Sequence, residues 1–442
     1  MFDINEEFDY FNEKDCNYKE FLNSQKLLTD VNTLTVPKRS VRLLNAKKNE
    51  KRLLEISPDK LLAVEYCLVF LSNLVNVQFN GNNDKWKSLS SRVLREQIPG
   101  SDGTYKRVIE FLLEPIFSFN SLIEVKLNDR ETETYEVRTR SKQYRLSSLL
   151  LNNKVEIYKI SNSYHKKRRL DIYRIKIIES KNNLIVTNLL AIYPKLALPV
   201  ENEILAEARR LVKIKYRNGK GKKLTILNGR KKTDLVDQKR FYLEDSLKLF
   251  KYLTENGFKY PSISGERSGG RVYDSINMMP KFIRNLIKID NEKTIDIDFR
   301  CLHPNLAVKL YGGTTKYITH ELIKDKLEME LHIVKEEHLS FFNKKAQQMR
   351  MSLLYPYYET NEPTMLKKII SDKNKNNYKI TSQKMFDLEV KIMTECIRRL
   401  NNIGINVLYV FDALLVKCSN QRAVENIMNQ VVSEMGIYTN VG

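Results

Sequence analysis

Cysteine and tryptophan are scarce in this chain, which has five of the first and one of the second in 442 residues. Cys16, Cys67, Cys301, Cys396 and Cys418 never fall at CxxC spacing, so neither a zinc ribbon nor a disulfide framework is expected. No GxxxxGK[ST] spacing occurs, which excludes a P-loop. No uninterrupted run reaches the roughly 18 apolar residues of a membrane span. The N-terminus carries Asp3, Glu6, Glu7, Asp9, Glu13 and Asp15, the wrong sign for a transit peptide and too polar for a signal peptide. A reducing, cytoplasmic setting in a bacterial or viral context, with no membrane association, is the expectation. Acids are also short: 54 against 75 basic residues give a formal charge of +21, which favours a polyanionic partner. Nucleic acid leads, with an anionic membrane surface second.

What is present divides the chain into four stretches. Residues 1–55 are polar and weakly periodic, and they read as an arm. Residues 56–150 begin with an apolar run, Leu61 to Val75, preceded by the capping candidates Ser57 and Asp59. Further helices are expected near Lys87–Gln97 and Thr104–Leu113, then strands at Leu122–Leu127 and Thr134–Arg138. Three helices followed by a ribbon is the outline of a winged helix-turn-helix module. The ribbon leads into Arg138, Arg140, Lys142 and Arg145 around Tyr144, a run able to neutralise several phosphates. Residues 151–260 are a basic connecting, thumb-like region. They include a strand-like DIYRIKII at 171–178 and a basic loop rich in Arg217, Lys220, Lys222 and Lys223.

Residues 261–442 hold the candidate chemistry. Ile295, Ile297 and Phe299 alternate with Asp296 and Asp298, so a strand would set the apolar residues on one face and both carboxylates on the other. A helix is expected to begin near Pro304. At 406–417 two apolar runs flank Phe411, Asp412 and Ala413, a tight hairpin with an acid at its tip. If the two segments are neighbours, Asp298 and Asp412 converge, as two metal ions handling a phosphate require. Asp296, two residues away at roughly 3.3 Å each, is expected to act as an outer or structural acid. A finger helix is expected at Phe341–Tyr355 with Lys344, Lys345 and Arg350, and a long helix at Ser382–Asn401 ending at Gly404.

The order Gly269-Gly270-Arg271-Val272-Tyr273, acidic strand, basic helix, long helix and aspartate hairpin resembles the C-terminal half of family A DNA polymerases and phage-type single-subunit RNA polymerases. It is nearest to the small polymerase-like proteins of phages and mobile elements with a winged helix in front. The resemblance implies an α+β multidomain protein with an antiparallel palm and helical fingers. By it, Asp298 and Asp412 are the metal-binding and catalytic aspartates, and Arg271 meets template or hybrid. Lys344, Lys345, Arg350 and His303 would serve the incoming nucleotide. The chain departs from the family at several points: Asn343 and Gln347 stand where finger cations are usual, and Pro356 replaces a glycine. Phe411 precedes the hairpin aspartate where histidine is usual, and His303 stands where the DNA polymerases carry glutamate.

The expected function is therefore template-directed nucleotidyl transfer, by a DNA or RNA polymerase or a primase-like enzyme, with Mg²⁺ or Mn²⁺, nucleoside triphosphates and a primer–template. The alternative is a DNA-binding replication initiator or regulator whose polymerase-like half has lost its chemistry.

Overall fold

A computed structural model describes residues 22–28, 31–79, 85–100, 103–115, 120–128, 132–133, 141–151, 154–219, 221–230 and 239–442. The chain forms two compact units. One comprises Asp30–Lys176 with Thr225–Glu255, and the other comprises Met1–Thr29, Ile177–Leu224 and Asn256–Gly442. Both mix helices with small antiparallel sheets.

The first unit is built on the Lys60–Phe79 helix, whose N-terminal amides at Leu61 and Leu62 are accepted by the Asp59 carboxylate. By length and composition this helix is apolar enough to cross a membrane. It is instead the core of the unit, with Phe70, Leu71 and Leu74 buried among neighbouring helices and strands. Around it run a short strand Lys87–Ser88, helices Ser91–Gln97 and Thr104–Leu113, and strands Ile123–Val125 and Gln143–Leu146. The last strand lies centrally, between the other two. Its Tyr144 and Leu146 face inward, whereas Arg145 faces out over Trp86 at 4.5 Å.

Two expectations fail in this unit. The polar arm, over its described part, is structured: Thr33–Pro37 pairs with Val155–Lys159, and Lys38–Leu44 and Glu50–Ile56 are helical. Leu34, Val36, Leu44 and Leu53 are buried. Each element offers only a few apolar residues, and the partner strand lies more than a hundred positions away, so no local period revealed it. The second failure is 171–178, which belongs to the helix Ser163–Ser180. Asn162 caps that helix by accepting from the His165 amide at 3.0 Å. The expected strand Thr134–Arg138 lies outside the described residues.

In the second unit a five-stranded antiparallel sheet has the order Leu408–Val410, Ala413–Lys417, Glu292–Asp298, Lys288–Ile289, Leu196–Ala197. The acidic strand forms because Ile297 and Phe299 enter the core, each contributing roughly 1.5–3 kcal/mol of burial. The long helix Ile380–Asn402 buries Ile392, Cys396 and Leu400. It ends at Gly404, which takes φ +77, a conformation that costs glycine little. Helix Gln421–Glu434 packs beside it through Val424, Met428 and Val431.

The single finger helix expected at 341–355 is broken into Leu331–Phe341, Ala346–Arg350 and Tyr355–Asn361. The cause lies far along the chain: the buried Lys373 ammonium donates to the carbonyls of Phe342 at 2.8 Å and Lys344 at 3.1 Å, at the break between the first two pieces. Pro356, at the start of the third piece, has no amide hydrogen to give. The basic loop expected around Arg217 to Lys223 is also partly ordered. Helix Glu201–Lys213 precedes it, and Arg217 and Lys223 pair antiparallel, with Arg217 donating to the Gly221 carbonyl at 2.8 Å.

Candidate active site

The acidic strand and the hairpin are adjacent, and their register sets Asp298 opposite Ala413. Strict alternation would turn the preceding residue, Asp412, to the far side of the sheet. Asp412, however, lies in the turn after Phe411, which takes φ +59, and the strand begins only at Ala413, so alternation does not apply to it. The two carboxylates act on each other. The pKa of Asp298 is raised by burial first, then by Asp412 and Asp296. Burial and the Glu389 carboxylate raise that of Asp412, against the opposing pull of His303 and Arg271. Asp298 Oδ1 is buried without a hydrogen-bond partner.

The nearby cations, Lys281 beside Asp298 and His303 and Arg271 beside Asp412, leave both carboxyl pKa values raised, and such a pair of hard oxygen donors fits a divalent cation of the Mg²⁺ type. Among the described residues no group of three or more His, Cys, Asp or Glu forms a metal cluster. Two carboxylates suffice for Mg²⁺ where waters and phosphates complete the shell. Asp296 is otherwise engaged, since Lys281 reaches its Oδ2 at 2.6 Å.

Beside the acids lies a second group. The strands Ser262–Ile263 and Val272–Tyr273 pair, and the turn between them carries Gly269, Gly270 and Arg271. Gly269 takes φ +63 and packs so tightly on Ile380–Asn402 that a Cβ would lie 2.4 Å from the Asp387 amide nitrogen. That approach lets the Arg271 guanidinium lie 3.7 Å from the centre of the Phe386 ring and engage both oxygens of Glu389, with Nε at 2.8 Å. His303, on helix Leu302–Tyr311, places Nε2 2.8 Å from Glu389 and 3.4 Å from Arg271. Phe411 lies 5.1 Å from the same guanidinium and 5.4 Å from Tyr273. Burial opposes a charge on His303, but the Glu389 hydrogen bond and the Asp412 charge outweigh it and raise its pKa.

Asp298, Asp412, Arg271 and His303 are thus brought together. The remaining candidates are not drawn into this group by their described contacts. Lys344 pairs with Glu337 at 2.8 Å, Lys345 lies 5.6 Å from the Tyr378 ring, and Arg350 is an exposed helix end. Lys142 pairs with Glu133, and Arg145 donates to Glu124 at 2.8 Å. Lys222 and Lys223 are half-buried in the 217–223 turn. Arg138, Arg140 and Lys220 lie outside the described residues.

Two neighbours escaped the sequence reading. Glu389 is fully buried, and its signal was present: Met385, Ile392 and Cys396 at helical spacing put position 389 on the apolar stripe. A charge there is a buried charge that needs partners. Arg284 is buried with Nε unpartnered, close enough to Asp274, Asp296 and Asp298 to feel all three charges. No periodicity marked it.

No family model matches the chain, and no curated protein is similar to it in sequence. Among solved structures, the POL domain of Pol1 from M. smegmatis, in complex with a DNA primer–template and dNTP, is similar to it at TM-score 0.36 and 12% identity. That likeness covers 63% of this chain and 72% of the other.

Proposed function

We propose that the chain is a template-directed nucleotidyltransferase in which a primer 3′-hydroxyl attacks the α-phosphate of a nucleoside triphosphate, the α–β phosphoanhydride bond breaks and pyrophosphate leaves. The observation that carries this reading is the carboxylate pair, Asp298 at the end of its strand and Asp412 in the turn that leads into the neighbouring strand, with Asp298 Oδ1 unpartnered. Mg²⁺ ions bound there would supply charge for the attacking and leaving oxygens. The chain's own share is positioning and neutralisation. Asp298 and Asp412 would hold the ions. Arg271 and His303 flank Asp412 and offer donors to the nucleic acid or nucleotide. Lys344, Lys345 and Arg350 approach the triphosphate only if the finger segments rearrange, since Lys344 is tied to Glu337.

In the first unit the order helix, strand, helix, helix, strand, strand, with the last strand central, supports a winged-helix reading. Duplex binding through the Thr104–Leu113 helix and its flanking sheet follows from that reading. The broken finger segment favours one rival, a DNA-binding initiator or regulator with a silent polymerase-like half.

Primer–template extension with all dNTPs or all NTPs, in Mg²⁺ and in Mn²⁺, tests the proposal. Incorporation by the wild type that disappears in Asp412→Asn and needs template supports copying. Incorporation without template indicates tailing. No incorporation by the wild type, together with a footprint on one defined duplex site, gives the rival reading.

A further inference from the structure

Arg271 and His303 come from different elements, a turn and a helix, and neither has reason by itself to adopt one orientation. A third element fixes both. Glu389 sits on Ile380–Asn402, fully buried, with its two oxygens on the Arg271 guanidinium and one of them on His303 Nε2. A lone carboxylate at that depth would be costly. Its pKa is nonetheless held low, because the His303 and Arg271 bonds outweigh the burial that opposes them. The contact exists only because Gly269 allows the turn onto the helix backbone. Arg271 Nη1 and His303 Nδ1 make no described hydrogen bond within the protein, so the guanidinium keeps a donor and the imidazole a ring nitrogen for something else. Phe386 and Phe411 line the guanidinium and restrict its plane.

We propose that Glu389 is a positioning residue that clamps Arg271 and His303 as one unit beside Asp412, so that their remaining nitrogens meet a phosphate oxygen or sugar hydroxyl of the bound nucleic acid or nucleotide. This rests on the nucleotidyl-transfer reading for what is bound, but the clamp has a readout of its own. Bidentate pairing fixes the guanidinium in rotation as well as position, which a point-charge substitute does not.

The test combines spectroscopy and kinetics on the full chain. An arginine Nε–H held on a buried carboxylate exchanges slowly with water, so the Arg271 Nε–H resonance, assigned through its loss in Arg271→Lys, is expected at neutral pH. It should vanish in Glu389→Gln. In extension assays Glu389→Gln, Arg271→Lys and His303→Gln each lower the rate by roughly 10- to 100-fold. The pairwise combinations lose little more than the worse single variant, as members of one unit do. A resonance that survives in Glu389→Gln, or losses that multiply, would overturn the clamp. If Glu389→Gln does not fold, the wild-type resonance and the Arg271→Lys, His303→Gln cycle still decide. If the wild type incorporates nothing, the transferase reading falls, and the resonance alone judges the clamp.

Discussion

At Asp298 the fold holds a carboxylate against its own preference, and the sign of that strain can be worked out. Its pKa is raised above the ordinary carboxylate range by burial, Asp412 and Asp296. Between the unfolded and the raised folded value, the unfolded chain has released a proton that the folded chain retains. Stability therefore falls as pH rises through that window and stays reduced above it. Removing the charge should relieve the fold while disabling the chemistry. Asp298→Asn is expected to raise the melting temperature by a few degrees at neutral pH without divalent ions, and to abolish incorporation. Differential scanning fluorimetry with and without Mg²⁺ checks it. A melting temperature that falls in Asp298→Asn would mean the carboxylate is structural. The alternation of Ile295, Ile297 and Phe299 revealed Asp298 because a strand's period is short and local. The left-handed Phe411 before Asp412 was not legible, since the residues enriched at positive φ are Asn, Asp and His and a phenylalanine gives no such signal.

The elements most readable from sequence were those stabilised by their own pattern: the long helix, the acidic strand, the aspartate hairpin. The finger segment was misread because a residue far along the chain, Lys373, ends its helix. Its interior carries a second signal that periodicity leaves hidden. His338, on Leu331–Phe341, shares a hydrogen bond with the Tyr358 hydroxyl through Nε2 at 2.8 Å and stacks on Phe342, while its Nδ1 is buried without a partner. Burial, then His320 and His303, push its pKa down to about 3. Below the ordinary histidine value of about 6.5 the unfolded chain takes a proton that the folded one refuses, so stability is lost as pH falls from there. At pH 5 the deficit is about 2 kcal/mol, from one and a half units at about 1.4 kcal/mol each. Hydrogen-exchange protection factors across 320–361, with the intrinsic pH dependence of amide exchange divided out, should therefore fall between pH 7 and pH 5. His338→Phe, which keeps an aromatic ring and removes the titration, should flatten that dependence. An unchanged pH response in His338→Phe would assign the lability elsewhere.

On the scale of the molecule the governing quantity is charge. A formal +21 on 442 residues exceeds what internal pairing consumes, although several of the basic residues picked from the sequence are individually engaged. Arg145 lies against Glu124 and Trp86, and Lys142 against Glu133. Such pairs loosen their value as phosphate contacts, so binding should come from the summed field more than from any one arginine. Two consequences can be separated in one experiment. If binding is electrostatic, its affinity for a primer–template falls steeply with salt; a surface neutralising about six phosphates gives a slope of log K against log[salt] near −5. Asp412→Asn removes a negative charge from the site and none of the positive surface. It should therefore keep wild-type affinity and slope, or bind slightly tighter without divalent ions, while losing incorporation. Fluorescence anisotropy from 50 to 300 mM salt measures both proteins side by side. A flat salt dependence would remove nucleic acid as the partner implied by charge, and a collapse of affinity in Asp412→Asn would make that aspartate part of the binding scaffold instead of the chemistry.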